Sequence, residues 1–174
     1  MFLTDDIATQ PGTFALVPQV ADAVKLPVIA SGAIADARGI VAAMVLGAAA
    51  VQIGTAYLFT PEARVPAPHH AALRGDRADE TALTNIFTGR PARGIVNRVM
   101  REVGPISTEA PAFPLAGGAV APLRAATEKT GSGDFMSLWA GQAAKLGREM
   151  PAAELTRRLG DEALALLGSF GRAG

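Results

Sequence analysis

Two glycines with a threonine beside the second are the residues whose types and spacing point to chemistry. Gly32 follows the apolar run Pro27–Ala30, and Gly54 follows Ala50–Ile53, with Thr55 next in the chain. Glycine after a buried strand lets the backbone approach an oxyanion with no Cβ in the way, and Thr55 adds a hydroxyl donor. The chemistry such a pair could do is phosphate binding by backbone amides. Asp36 lies far enough into the following helix not to repel an anion held at the turn. On spacing alone the other reading also stands, in which both glycines only close tight turns.

The elements that must position these residues follow from the patterning of Pro27–Leu58, PVIASGAIADARGIVAAMVLGAAAVQIGTAYL. Short apolar strands at Val28–Ile29 and Ala50–Ile53 flank a helical pattern, which makes a βαβ unit. Parallel strands buried on both faces need such runs, and their ligands gather at the carboxyl ends. Asp36 is predicted to cap the helix, with Ile40, Val41, Met44 and Val45 as its buried stripe and Gly47 as its stop. Upstream, Thr13 is predicted to cap a helix carrying Phe14, Val17, Val20, Ala21 and Val24 and ending at Lys25. Phe2–Thr4 reads as the end of a strand that runs into a polar turn at Asp5–Asp6.

Beyond Leu58 the chain turns polar and rich in proline. Thr60–Asp79 reads as a connection with a short helix around Ala71–Arg74, Thr84–Arg90 as a strand closed by Gly89, and Ala92–Glu102 as a basic amphipathic helix. Gly104–Pro122, with four prolines and the Gly117–Gly118 pair, reads as an irregular crossing. Short helices are predicted at Leu123–Lys129 and Asp134–Gly147, and Pro151 starts a last helix with Leu155, Leu159, Ala163, Leu166 and Leu167 on one face.

Composition narrows the class. The chain has 174 residues, balances 16 basic against 16 acidic side chains and has no cysteine. Disulfides and thiolate metal sites are excluded, and with no basic run a nucleic-acid partner is not expected. No apolar stretch is long enough to span a bilayer, so no membrane partner is expected, and the cytoplasm is the expected location. His69 and His70 are adjacent and lack metal-ligand spacing, so a surface loop is the better account. Arg90, Arg93 and Arg98 suit either an anion or an amphipathic surface. Trp139, Gly141 and Gln142 suit either a ligand pocket or, for Trp139, plain core. Asp5 and Asp6 read as a solvated turn.

PVIASGAIADARGI followed by GAAAVQIGTAYLFTPEA resembles the nitronate monooxygenase family, formerly called 2-nitropropane dioxygenases. FTGRPARGIVNR and GDFMSLWAGQAAKL resemble later parts of the same family in the same order, so the resemblance runs along nearly the whole chain. It implies an α/β fold, the carboxyl-terminal part of a TIM (β/α)8 barrel followed by a smaller helical substrate-side domain. The implied divisions are 1–60 for the last βα units, 61–133 for a connection and substrate-side domain, and 134–174 for carboxyl-terminal helices. FMN is the implied cofactor, with Gly32, Ala33, Gln52, Ile53, Gly54 and Thr55 around its phosphate and ribityl chain. Ala33 stands where the family often has glycine, which restricts the turn.

The implied activity is oxidation of an alkyl nitronate with O2 to a carbonyl compound and nitrite. A complete barrel needs roughly 250 residues, so a truncated form is expected. The family's Gly-Gly-His-Arg-Gly segment, whose histidine acts on the nitronate, would precede Met1, and no catalytic residue is assigned within the chain. The alternatives are a related FMN-dependent enoyl-acyl-carrier-protein reductase and a catalytically silent fragment. Uncovered strand edges in such a fragment predict self-association into a homo-oligomer.

Overall fold

The computed structural model describes residues 6–170. In chain order its elements are α1 (Thr13–Ala23), β1 (Ile29–Ser31), α2 (Ala37–Val45), β2 (Ala50–Gln52), α3 (Ala67–Arg74), β3 (Thr81–Thr84), β4 (Ala92–Ile95), α4 (Arg98–Glu102), α5 (Ala116–Glu128) and α6 (Ala152–Phe170), with short 3-10 turns between. The expected strand at Phe2–Thr4, and Asp5, lie outside the described residues. The chain divides into two compact units, one of Pro11–Arg64 with Leu146–Gly174, the other of Val65–Lys145 with the residues up to Gln10.

In the first unit β1 and β2 pair in parallel, Ile29 beside Ala50 and Ser31 beside Gln52. Ala30 points to the helices and is buried with Val17, Ile34, Ala43 and Ala48. Asp36 caps α2 as expected: its carboxylate accepts from the Arg38 N–H at 3.0 Å and the Gly39 N–H at 3.3 Å. Gly47, at φ 97°, ends that helix. Helix α6 packs Ala163 against Ala37 and Val41 of α2. The start of α6 is held by Glu62, whose carboxylate accepts from the Ala152 N–H at 3.1 Å.

The parallel strands are not buried on both faces as expected, since Ile29 is 63% exposed and only Ala30 of β1 is buried; three expectations for the helices also need correction. Gly12 and not Thr13 is the N-cap of α1, because the Thr13 hydroxyl is turned toward the Ser31 carbonyl at 3.4 Å. Phe14 is 74% exposed, and Val17 is the buried residue of α1. Met44 and Val45 are exposed, because the contacts of α2 with the strands and with α6 are made through Ala37, Ile40, Val41 and Ala43.

In the second unit β3 and β4 pair antiparallel, Thr81 opposite Ile95 and Thr84 opposite Ala92. This unit is thus not purely helical. Its core is Ile86, Phe87, Val99, Met100 and Val120, with Phe135 and Trp139 against it. The strand expected at Thr84–Arg90 ends at Thr84, the last residue of β3, and a turn follows: the Thr84 hydroxyl accepts from the Ile86 N–H, and Gly89 is at φ 85°. Ala92–Glu102 is divided rather than one helix, since Asn97 accepts from the Met100 N–H and so starts α4 there. Helix α5 begins well before Leu123 and includes Gly117, Gly118 and Pro122; burial of Ala116 and Val120 anchors it.

Among the described residues, the carboxyl-terminal helices expected in 134–174 are α6 and the 3-10 turn Ala144–Leu146. Asp134–Gly147 is not a helix because its backbone is captured by β4. Ile95 N–H donates to the Leu138 carbonyl at 2.8 Å, and Ala140 N–H to the Arg93 carbonyl at 3.3 Å. Gly94 permits this approach, since a Cβ there would sit 2.9 Å from the Leu138 oxygen.

Candidate functional site at the carboxyl rim of the parallel strands

The parallel register places the ends of β1 and β2 side by side, so the turns that follow them share one rim. At the first turn Gly32 and Ala33 are both left-handed, with φ 104° and 58°. A turn of this kind leaves backbone N–H groups at the strand end free of side-chain cover at Gly32. Both residues are exposed, while Ile34, Ala35 and Asp36 behind them are buried. At the second turn Gln52 and Gly54 are exposed, and Ile53 and Thr55 are half-buried. A Cβ on Gly54 would have no atom within 4 Å, so its space is open on the protein side. Gly54 is also the N-terminal cap of the 3-10 turn Thr55–Phe59.

Thr13 was not anticipated as part of this region. Its hydroxyl lies toward the Ser31 carbonyl and would be 3.1 Å from a Cβ on Gly32, so it braces the first turn from α1. No local signal distinguishes this role from capping. A crevice of about 150 Å³ opens behind the same turn, lined by Phe14, Val17, Ile34, Ala42, Ala43 and Leu46 together with Thr13 and the turn itself. It is apolar and does not include Gln52, Ile53, Gly54 or Thr55, so it is not the seat for a phosphate.

The charge nearest the turn is internally neutralised. Asp36 accepts from the Arg38 Nε at 3.0 Å, and this guanidinium contact, with the two backbone donors, holds the carboxyl below its ordinary range despite burial. A paired and capping carboxylate does not repel an anion as a free one would.

The other candidates are placed elsewhere. Arg93 donates to the carbonyl and hydroxyl of Thr81, Arg98 pairs with Glu102 at 2.7 Å, and Arg90 lies over the Phe113 ring. These arginines do not converge on one anion. Trp139 stacks edge-on against Phe87 with ring centroids 5.5 Å apart, as core. His69 is buried on α3, not on a surface loop, and its Nε2 meets the Trp139 carbonyl at 2.9 Å. Among the described residues no group of three or more His, Asp or Glu side chains is arranged to hold a metal ion, and no helix is long and apolar enough to cross a membrane.

A parallel strand–helix–strand unit with both glycine turns on one rim defines an α/β protein of the kind that binds ligands at strand ends. A family model for nitronate monooxygenase matches residues 4–162. The chain belongs to the nitronate monooxygenase family, a family of oxidoreductases. It is 47% identical over 152 residues to a nitronate monooxygenase of Pseudomonas aeruginosa, covering 87% of this chain and 43% of that protein. A probable nitronate monooxygenase of Staphylococcus saprophyticus is 38% identical over 141 residues, 81% of this chain and 40% of its own length.

Solved structures agree. The nitroalkane oxidase of Streptomyces ansochromogenes superposes with TM-score 0.84 at 42% identity, over 91% of this chain and 45% of its own. FabK from Thermotoga maritima does so with TM-score 0.76 at 29% identity, over 92% of this chain and 51% of its own. The chain spans less than half the length of the curated relatives it matches.

Proposed function

We propose that this chain supplies the phosphate-binding rim of an FMN-dependent, TIM-barrel nitronate monooxygenase. The observation that carries the proposal is the parallel register, which sets the Gly32–Ala33 turn and the Gly54–Thr55 turn on one rim with open space over Gly54. The residues fit the group: an exposed left-handed turn at Gly32–Ala33, a second glycine whose Cβ position is empty, and a paired carboxylate behind the turn. Gly32, Ala33, Gly54 and Thr55 would hold the phosphate, and Gln52 and Ile53 would lie along the ribityl chain.

When bound, the flavin supplies the redox chemistry by which an alkyl nitronate and O2 become a carbonyl compound and nitrite. The chain's own residues bind and orient; none of them is assigned as the catalytic base. A cytoplasmic setting, with no nucleic-acid or membrane partner, accords with this reading.

Gly54 gives the decisive test, because its φ of −105° is not left-handed and a side chain there meets no protein atom within 4 Å. Gly54→Val is expected to keep the circular dichroism spectrum and melting temperature of the parent while FMN affinity, followed by flavin fluorescence, drops at least ~10-fold, about 1.4 kcal/mol. Unchanged FMN affinity in a folded Gly54→Val chain overturns the assignment. A second reading, an FMN-dependent enoyl-acyl-carrier-protein reductase, draws weaker support from the likeness to FabK at 29% identity. Reduction of the bound flavin by NAD(P)H in the absence of nitronate would support that reading over the first.

A further inference from the structure

His69 and Asp36 are the buried side chains, among the described residues, that can change charge, and His69 is the one that does so near neutral pH. It is 7% exposed. Its Nε2 lies 2.9 Å from the carbonyl oxygen of Trp139, seventy residues further on.

The geometry of the strand-like segment around Trp139 explains why this contact matters. Gly94 and Trp139 face each other as an antiparallel bridge. The flanking bonds run from the Ile95 N–H to the Leu138 carbonyl and from the Ala140 N–H to the Arg93 carbonyl. In that arrangement the N–H and carbonyl of Trp139 itself point away from β4. The carbonyl therefore needs a partner on its far side, and His69 is that partner. Since a carbonyl can only accept, Nε2 carries the proton, and a neutral ring has its bare nitrogen at Nδ1.

We propose that His69 is a proton-sensitive latch, which in its neutral form holds the Trp139 carbonyl from the side away from β4 and on protonation lets it go. A proton on Nδ1 leaves the Nε2 donor in place, but it puts a charge on a buried ring. Relief comes when the ring turns toward solvent, which withdraws Nε2 from the carbonyl. Burial is the largest influence and lowers the pKa of His69 from its ordinary 6.5; the Trp139 carbonyl opposes this, and His70, the next residue of α3, adds to it. No carboxylate is among the groups acting on His69, so the Trp139 carbonyl is the one group there that favours the imidazolium.

The sign is that of a base whose folded pKa is depressed. The stability that His69 contributes is complete above pH 6.5 and is lost as pH falls from there toward the folded value. Opposite the latch the indole rests edge-on against Phe87, so release changes its surroundings. Further on, Lys145 ties the same stretch to the Asp76 carbonyl and pairs with Asp79. The inference concerns the Val65–Lys145 unit and does not rest on the flavin reading.

The chain has one tryptophan and two histidines, so its indole emission reads the latch directly. In the full chain, emission followed from about pH 8 to about pH 5, the range in which histidine titrates, is expected to show one reversible change with its midpoint below 6.5. His69→Gln, whose amide N–H reaches for the same carbonyl and does not titrate, is expected to keep the neutral emission and lose the change. His70→Gln is expected to retain it. A change that survives His69→Gln or vanishes in His70→Gln overturns the proposal. So does a parent chain whose emission is flat across the range.

Discussion

Ala33 is an L-residue held at φ 58°, directly after Gly32 at 104°. The left-handed region costs a non-glycine residue about 1 kcal/mol or more, partly offset by the greater freedom glycine has when unfolded. Ala33→Gly is therefore expected to stabilise the chain by about 0.5–1 kcal/mol, read as a higher midpoint in urea, without weakening FMN binding. A lower midpoint would show that this turn is shaped by something other than backbone strain. At this scale the candidate site was partly legible. A glycine closing each strand is visible in a sequence, because few other residues end buried strands there. That Thr13 braces the turn was not visible, since its hydroxyl could serve a cap or a carbonyl with equal ease and only the packing of α1 decides.

Among the elements, α2 stands behind the site and Asp36 fixes where it begins. Its carboxylate satisfies two amides of the first helical turn and takes the Arg38 guanidinium as well. Asp36→Ala is expected to cost about 1 kcal/mol. The guanidinium and the backbone donors depress the folded pKa of Asp36. The stability it contributes is thus present above its unfolded value of 3.8 and is lost as pH falls through the folded value. Acid melts of the parent and the Asp36→Ala chain should therefore converge at low pH; a constant gap would show that the carboxylate charge plays no part. The cap was legible because capping is local: donor and acceptor are two or three residues apart. The stretch from Asp134 was not. Its helical periodicity is real, but Gly94 lets β4 approach to bonding distance, and a capture across more than forty residues leaves no local mark. The turn at Ile86 is an intermediate case, since the Thr84 hydroxyl that makes it is local yet equally suited to a strand.

For the molecule as a whole, the consequence lies in the uncovered side of the parallel pair. Ala30 faces the helices and is buried, so its neighbours Ile29 and Ser31 face the other way; both are exposed, Ile29 at 63%, as are Ala50 and Gln52 of β2. Each strand also has one bonded neighbour among the described residues, which leaves an edge on either side. Parallel sheets are stable when covered on both faces, and a bare face that exposes Ile29 and Ala50 beside open edges is an association surface. Burying an isoleucine side chain contributes about 1.5–3 kcal/mol, enough for one such contact to shift a weak self-association several-fold. The chain is expected to form concentration-dependent homo-oligomers in sedimentation velocity runs. Ile29→Lys should move the distribution toward monomer while leaving the circular dichroism spectrum unchanged, because the side chain it replaces already faces solvent. A parent chain that stays monomeric at every concentration would show that this face does not drive association, and an Ile29→Lys chain that associates equally would move the contact elsewhere on the surface.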